Sequence, residues 1–448
     1  MLEPFQAQYT FCNRRNMTLL TIFRDIKSFV NKDDYDLERP DVTLQNFHPQ
    51  IEVFFAINGI FFNNHTSKKR FIWPGLSSFM ACVAIGFELM FIWRGLTTKD
   101  YAMATESFAY LIILGSVNLI YFGVLANRTM VLKLLSEMSK DFRYICNLAP
   151  NYRKSFLDGQ LLIWKLTMIW GIFVTIVAIL YVLNTFVLLL YQSLFATLDE
   201  HYVRPFIFSV WLPHDDPHRS PNYEMIMVFH VALILVAMAS FGLYVPLSLH
   251  LFMHYYKLLD MILIAIDELF DELDESVVTL HVADQRRLDV KAELGRRMGC
   301  IVQWHQSVFD SVDEITSIYG PMLVYQVMFS SVIICLMAHQ VAIQLAEGKF
   351  NYLFALLLVG AVVQLWIPCC IGTLMQTKAL SLGERCFYSN WYKTPLTQLV
   401  RQDLLIFIMR TQVPVEIKFT GLPELELHTF SSIMSTAYSY FNMLRQYN

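Results

Sequence analysis

Residues 166–198, LTMIWGIFVTIVAILYVLNTFVLLLYQSLFATL, run for 33 positions without a formal charge. At the helical rise of about 1.5 Å per residue this is a rod of ~50 Å, longer than the ~30 Å hydrocarbon core of a bilayer. A helix on the surface of a soluble domain alternates apolar and charged faces, and this one has no charged face. It therefore reads as a membrane span that tilts or projects beyond the lipid. Downstream, 225–256 repeats the pattern over 32 charge-free residues. These two stretches set the class: all-α, polytopic and membrane-embedded.

Working outward, further apolar runs at 71–96, 107–127, 319–345 and 350–378 read as spans, and a last one follows 426, which makes seven. The run IEVFFAINGIFF at 51–62 is too short to cross and reads as an interfacial or re-entrant helix. A helix-like stretch at 19–30 precedes it. The expected organisation is an N-terminal region with that short helix (1–70), spans one to four (71–256), a helical connection (257–318), spans five and six (319–380), a second anchor segment (381–425) and a terminal helix (426–448). Within 257–318, Leu258, Leu259, Ile262, Leu263, Ile266, Leu269, Phe270 and Leu273 recur at helical spacing, so the spans should continue as helices into a packed bundle.

Composition agrees. Of 448 residues, 55% are hydrophobic and 16% charged, the net charge is −4, and the mean hydropathy is +0.43. No basic stripe with interleaved aromatics points to nucleic acid. Eight cysteines show no zinc-type spacing, and Cys369 and Cys370 read as small buried hydrophobes. The acidic run Asp267, Glu268, Asp271, Glu272, Asp274 and Glu275 reads as a solvated helix face. There is no phosphate loop, metalloprotease helix or nucleophile elbow, so neither an enzyme nor a cofactor is expected.

Lysine and arginine set the orientation, since they stay on the cytoplasmic side. Twenty-seven fall in the N-terminal region and alternate connections, and five on the other side. The N-terminus is thus expected inside and the C-terminus outside, opposite to a G-protein-coupled receptor. The sequons at Asn16, Asn64 and Asn127 all fall on the inner side, the outer connection 199–222 has no cysteine, and Asp-Arg-Tyr and Asn-Pro-x-x-Tyr are absent from the third and seventh spans.

Intramembrane titratable residues are few. Glu88 and Lys165 would be the candidates of a proton-coupled transporter, against packing or snorkelling to the interface. His230, in the outer third of the fourth span, is either a packing histidine or a ligand contact. The C-terminal region is broken: 404–409 is apolar, Pro414, Gly421 and Pro423 interrupt it, and 427–444 is charge-free. Ser431, Ser432, Ser435, Thr436, Ser439, Asn442 and Gln446 dot that helix, suiting either helix packing or a wet pathway. One such helix cannot enclose water, so a channel built on it requires several copies.

Several stretches resemble the insect odorant receptor family. The outer connection has Pro205, Phe206, Trp211, Pro213, Asp216, Ser220, Pro221 and Tyr223; Cys300, Ile301 and His305 precede the fifth span; Cys370, Gly372, Trp391, Tyr392, LLIFIMRTQVPVEI at 404–417 and Tyr438-Ser439-Tyr440-Phe441 complete the set. The last span lacks the Thr-Tyr and Gln-Phe pattern of the sister gustatory receptors, which remain the alternative. No long coreceptor-like insertion is present. The resemblance implies a ligand-tuning subunit of a tetrameric, odorant-gated, non-selective cation channel in the plasma membrane of olfactory sensory neurons. Its partners would be a small volatile organic ligand, the odorant receptor coreceptor, the lipid bilayer and permeant cations. It further implies an odorant pocket in the outer halves of spans two, three, four and six. Counting depth gives Ala109, Ile112 and Ile113; Ile172, Thr175 and Ile179; His230 and Ile234; Phe354 and Leu358. On the last helix, Ser439, Met443 and Gln446 share one face, with Met443 the expected hydrophobic gate and Gln446 a polar ring beside it.

Overall fold

In the computed structural model, residues 42–60, 71–195, 204–212, 216–346, 348, 350–389, 391–418 and 423–447 are described. The expected helix at 19–30 and the sequons at Asn16 and Asn64 lie outside them. Among the described residues there is no strand. The helices are α1 (Leu44–Phe47), α2 (Gln50–Ile57), α3 (Ile72–Thr98), α4 (Tyr101–Ala126), α5 (Arg128–Cys146), α6 (Pro150–Phe195), α7 (Asn222–Asp267), α8 (Gln285–Ala346), α9 (Tyr352–Tyr388), α10 (Arg401–Thr411) and α11 (Leu427–Tyr447).

Six of them, α3, α4, α6, α7, α8 and α9, are long and apolar enough to cross a membrane. The seventh expected span, α11, has 21 residues, enough length, but its serines and polar residues keep it less apolar than the other six. The charge-free runs are only parts of these rods, which continue beyond them at the inner ends. α6 and α7 have 46 residues each and α8 has 62, about 93 Å at the helical rise.

Local chemistry sets the ends. After α3, Lys99 adopts a left-handed conformation with φ of 61°, and the Asp100 carboxylate accepts the Met103 amide at 3.1 Å to start α4. Asn351 caps α9 through the amides of Leu353 and Phe354. Where α7 ends, the Arg297 guanidinium of α8 donates to the carbonyls of Glu268, Leu269 and Asp271 at 2.9, 3.2 and 2.9 Å. Those carbonyls belong to the turn that follows the helix, so Arg297 pins the turn to α8.

At the inner ends of the spans, polar side chains form a buried chain. His48 donates from Nε2 to Gln160 Oε1 at 2.9 Å, and Gln50 Nε2 lies 3.0 Å from His48 Nδ1 and 3.1 Å from His250 Nε2. Gln160 Nε2 meets His254 Nδ1 at 3.2 Å, and His254 Nε2 meets Asp141 at 3.1 Å. The chain fastens α2 and the residues before it to α5, α6 and α7, so the short N-terminal helix is held by directed bonds rather than by lipid. It does not cross: Asn58, just past its end, donates to the Ala239 carbonyl midway along α7 and accepts from the Tyr121 hydroxyl.

The C-terminal break falls between Thr411 and Leu427. Leu425 donates to the Ile417 carbonyl and lies across α9 at Gly372, where a β-carbon would overlap the Leu425 carbonyl oxygen. One residue on, the Thr373 hydroxyl accepts the Leu427 amide at 2.9 Å and starts α11. α10 packs beside α9 and reaches α8 through Phe407, which meets His305, and through Arg410, stacked over Phe309.

Candidate functional site

The outer halves of α4, α6, α7, α8 and α9 leave a cavity of about 220 Å³ between them. Its wall is apolar and aromatic. Tyr110, Trp170, Phe173, Tyr181, Phe208, Phe241, Tyr325 and Phe329 face it. Most polar groups in the wall are already engaged. The Tyr325 hydroxyl donates to the Ile112 carbonyl at 2.7 Å. Gln326 accepts from Tyr244 at 3.2 Å and donates to the Gln364 carbonyl at 2.6 Å, and Trp170 Nε1 donates to the Phe241 carbonyl. Such a wall binds by shape and dispersion.

Of the described residues between α6 and α7, Phe208 lines the cavity. Tyr223 donates to the Pro205 carbonyl at 2.8 Å, Phe206 stacks on Tyr223 and His218, and the Arg94 guanidinium lies 4.5 Å over the Trp211 ring. The Pro-aromatic-Trp-Tyr pattern is thus a knot. It points Phe208 down among Tyr110, Tyr181 and His230 at ring distances of 5.1, 5.9 and 5.2 Å.

Of the residues chosen by depth, Ile112, Ile113 and Ile234 line the cavity. Ala109, Phe354 and Leu358 lie one layer behind, in or against a packed cluster with Tyr110, Ile112, Leu336 and Met337. His230 is 5% exposed; it packs on Phe206 and Phe208 and does not line the cavity. On α6 the expected face needs correcting. Ile172, Thr175 and Ile179 point outward, the Thr175 hydroxyl being returned to the Gly171 carbonyl. Phe173, Val174, Val177, Ala178 and Tyr181 point in instead. α6 is apolar on every side, so depth is readable from its sequence and rotation is not. Glu88 also lines the cavity, a lone acid in the first span whose isolation was a visible signal. Lys165 is exposed on α6.

The face of α11 bearing Ser439, Met443 and Gln446 is exposed, Met443 at 51%. The opposite face packs against α8 and α9 through residues such as Phe430, Ile433 and Ala437. Near its outer end, Leu444 rests on the cluster that contains Ile112 and Met337, two residues that also line the cavity.

A family model described as 7tm Odorant receptor matches residues 102–438. Odorant receptor 13a of Drosophila melanogaster is 25% identical over 39% of this chain and 44% of its own length. Odorant receptor 9a of the same species is 28% identical over 46% and 52%. The chain thus spans about half or less of the curated relatives it matches. The solved structure of the insect olfactory receptor OR5 from Machilis hrabei in complex with eugenol superposes with a TM-score of 0.71 at 16% identity, covering 90% of this chain and 99% of that one. A second structure of that receptor gives 0.68 at the same identity and coverage. At that identity the likeness concerns the fold.

Proposed function

Since this chain belongs to the insect odorant receptor family, we propose that it is a ligand-tuning subunit of a tetrameric odorant-gated cation channel, assembled with the coreceptor in the plasma membrane of olfactory sensory neurons. The family is one of receptors and not of enzymes, so the ligand leaves unchanged. A small volatile organic compound occupies the cavity between α4, α6, α7, α8 and α9, and α11 lines the pore for permeant cations. In the orientation that the basic residues favour, cavity and C-terminus lie toward the outside.

One observation carries this reading. Leu444 packs on the cluster holding Ile112 and Met337, and those two residues line the cavity. A ligand that spreads or rotates that wall changes the seat of the terminal helix one residue from Met443. Four Met443 side chains facing one axis would exclude water and stop ions by dewetting; a small rotation of α11 would replace them with Ser439 or Gln446. The exposed face of α11 is compatible with this, since a single copy leaves it uncovered.

The test is current in cells expressing the chain with the coreceptor. Odour-evoked current without accumulation of the compound is expected; uptake without current would instead favour a secondary transporter. Met443→Ala should raise the current flowing without ligand. An unchanged basal current at equal surface expression would remove Met443 from the gate.

A further inference from the structure

Glu88 is an expensive residue to place where it stands. Among the described residues lining the cavity it alone carries a formal charge. Beside it lie Ser107 and a second carboxyl, Glu106, and among the described residues neither acid forms an ion pair with a lysine, arginine or histidine. The one base on the same helix, Arg94, is drawn away over Trp211. The cavity holds a second polar group that is poorly met. Tyr181, 6% exposed, lines it, and its hydroxyl makes no well-formed hydrogen bond, the Tyr110 hydroxyl beside it being a weak partner.

A carboxyl in the apolar part of a span is costly, and such residues face interiors where a partner meets them. Here the described residues supply no positive partner, while the same cavity wall supplies a weakly bonded hydroxyl and aromatic faces that favour a cation. We propose that the ligand supplies the missing charge: the cavity takes a volatile amine, bound as its ammonium with the nitrogen at Glu88 and the apolar body against the aromatic wall. Resting on the odorant-site reading above, this narrows the ligand class. Where the Glu88 carboxyl holds a proton before binding, a neutral amine accepts it: the O–H bond breaks, the N–H bond forms, and the ion pair results without net change of charge. Glu106 is a second acid near the same nitrogen, and the Tyr181 hydroxyl is the second polar anchor.

The experiment compares phenethylamine with phenethyl alcohol, which share an apolar body and differ in the charged group, by half-maximal concentration for current in cells expressing this chain with the coreceptor. The amine should be more potent by about tenfold to a hundredfold, the range of a hydrogen bond to a charged group. In Glu88→Gln that ratio should collapse toward one, and Glu88→Asp should retain part of it. Equal potency in the wild-type receptor, silence toward the amine, or a ratio that survives Glu88→Gln would overturn the proposal. The wild-type comparison decides even if the variants fail to reach the membrane. If the alcohol gates the channel and Ile112→Trp weakens it, the cavity stands as an odorant site whatever the amine does. If neither compound's response, nor that to any other odorant, depends on the cavity wall, the underlying reading fails with it.

Discussion

At the scale of single residues, Ile112 and Ile179 offer a matched test. Both lie on spans at similar depth, yet Ile112 is 3% exposed and lines the cavity, whereas Ile179 is 56% exposed on the outside of α6. A tryptophan adds volume to either site, but only Ile112→Trp takes it from the cavity. Its half-maximal ligand concentration should rise about tenfold or more, the effect of losing ~1.4 kcal/mol of binding, with Ile179→Trp staying near wild type in the same dose–response assay. Equal effects would mean that the ligand sits elsewhere. The pair also shows what the sequence can and cannot convey. Depth follows from counting along a span, so Ile112, Ile113 and Ile234 were legible. Rotation follows from a polarity contrast between faces, and α6 has none, because lipid and cavity are both apolar. Tyr181 and Phe173 were invisible for that reason, and Phe208 because a connecting segment carries no periodicity from which its descent could be read.

At the scale of elements, the charge-free cores of α6 and α7 marked their spans directly, and the periodic apolar residues beyond them foretold that the rods continue. The broken C-terminal segment was equally legible from Pro414 and Pro423. The crossing at Gly372 was not, because the contact joins positions 53 residues apart: a glycine is there because Leu425 needs its surface. That crossing fixes where α11 begins, while Leu444 fixes how its far end is seated. Leu444→Ala should therefore loosen the helix from the cavity wall more than it disturbs the wall itself. Large-to-small substitutions in packed sites cost about 2–5 kcal/mol, less where burial is partial. The expected outcome is a reduced maximal ligand-evoked current with a smaller change in half-maximal concentration. A pure shift in potency at full maximal current would argue that α11 is moved by another contact.

At the scale of the whole molecule, one 62-residue helix, α8, touches both the cavity and the inner bundle, and α11 lies along it. Its outer half presents Tyr325, Phe329 and Met337 to the cavity, and its inner half presents His305 and Phe309 to α10. The bias of the basic residues predicts which end is which. An epitope tag after Asn448 should be stained on intact cells, and one before Met1 only after permeabilisation; the reverse pattern would invert the cavity and the proposed direction of ligand entry. The knot of aromatic residues above the cavity has a consequence in time as well as in space. With Phe208 wedged among Tyr110, Tyr181 and His230, a ligand of the proposed site that leaves past it waits for that ring to step aside. On that reading the fading of a ligand-evoked current follows the frequency of one side chain's excursions as well as affinity.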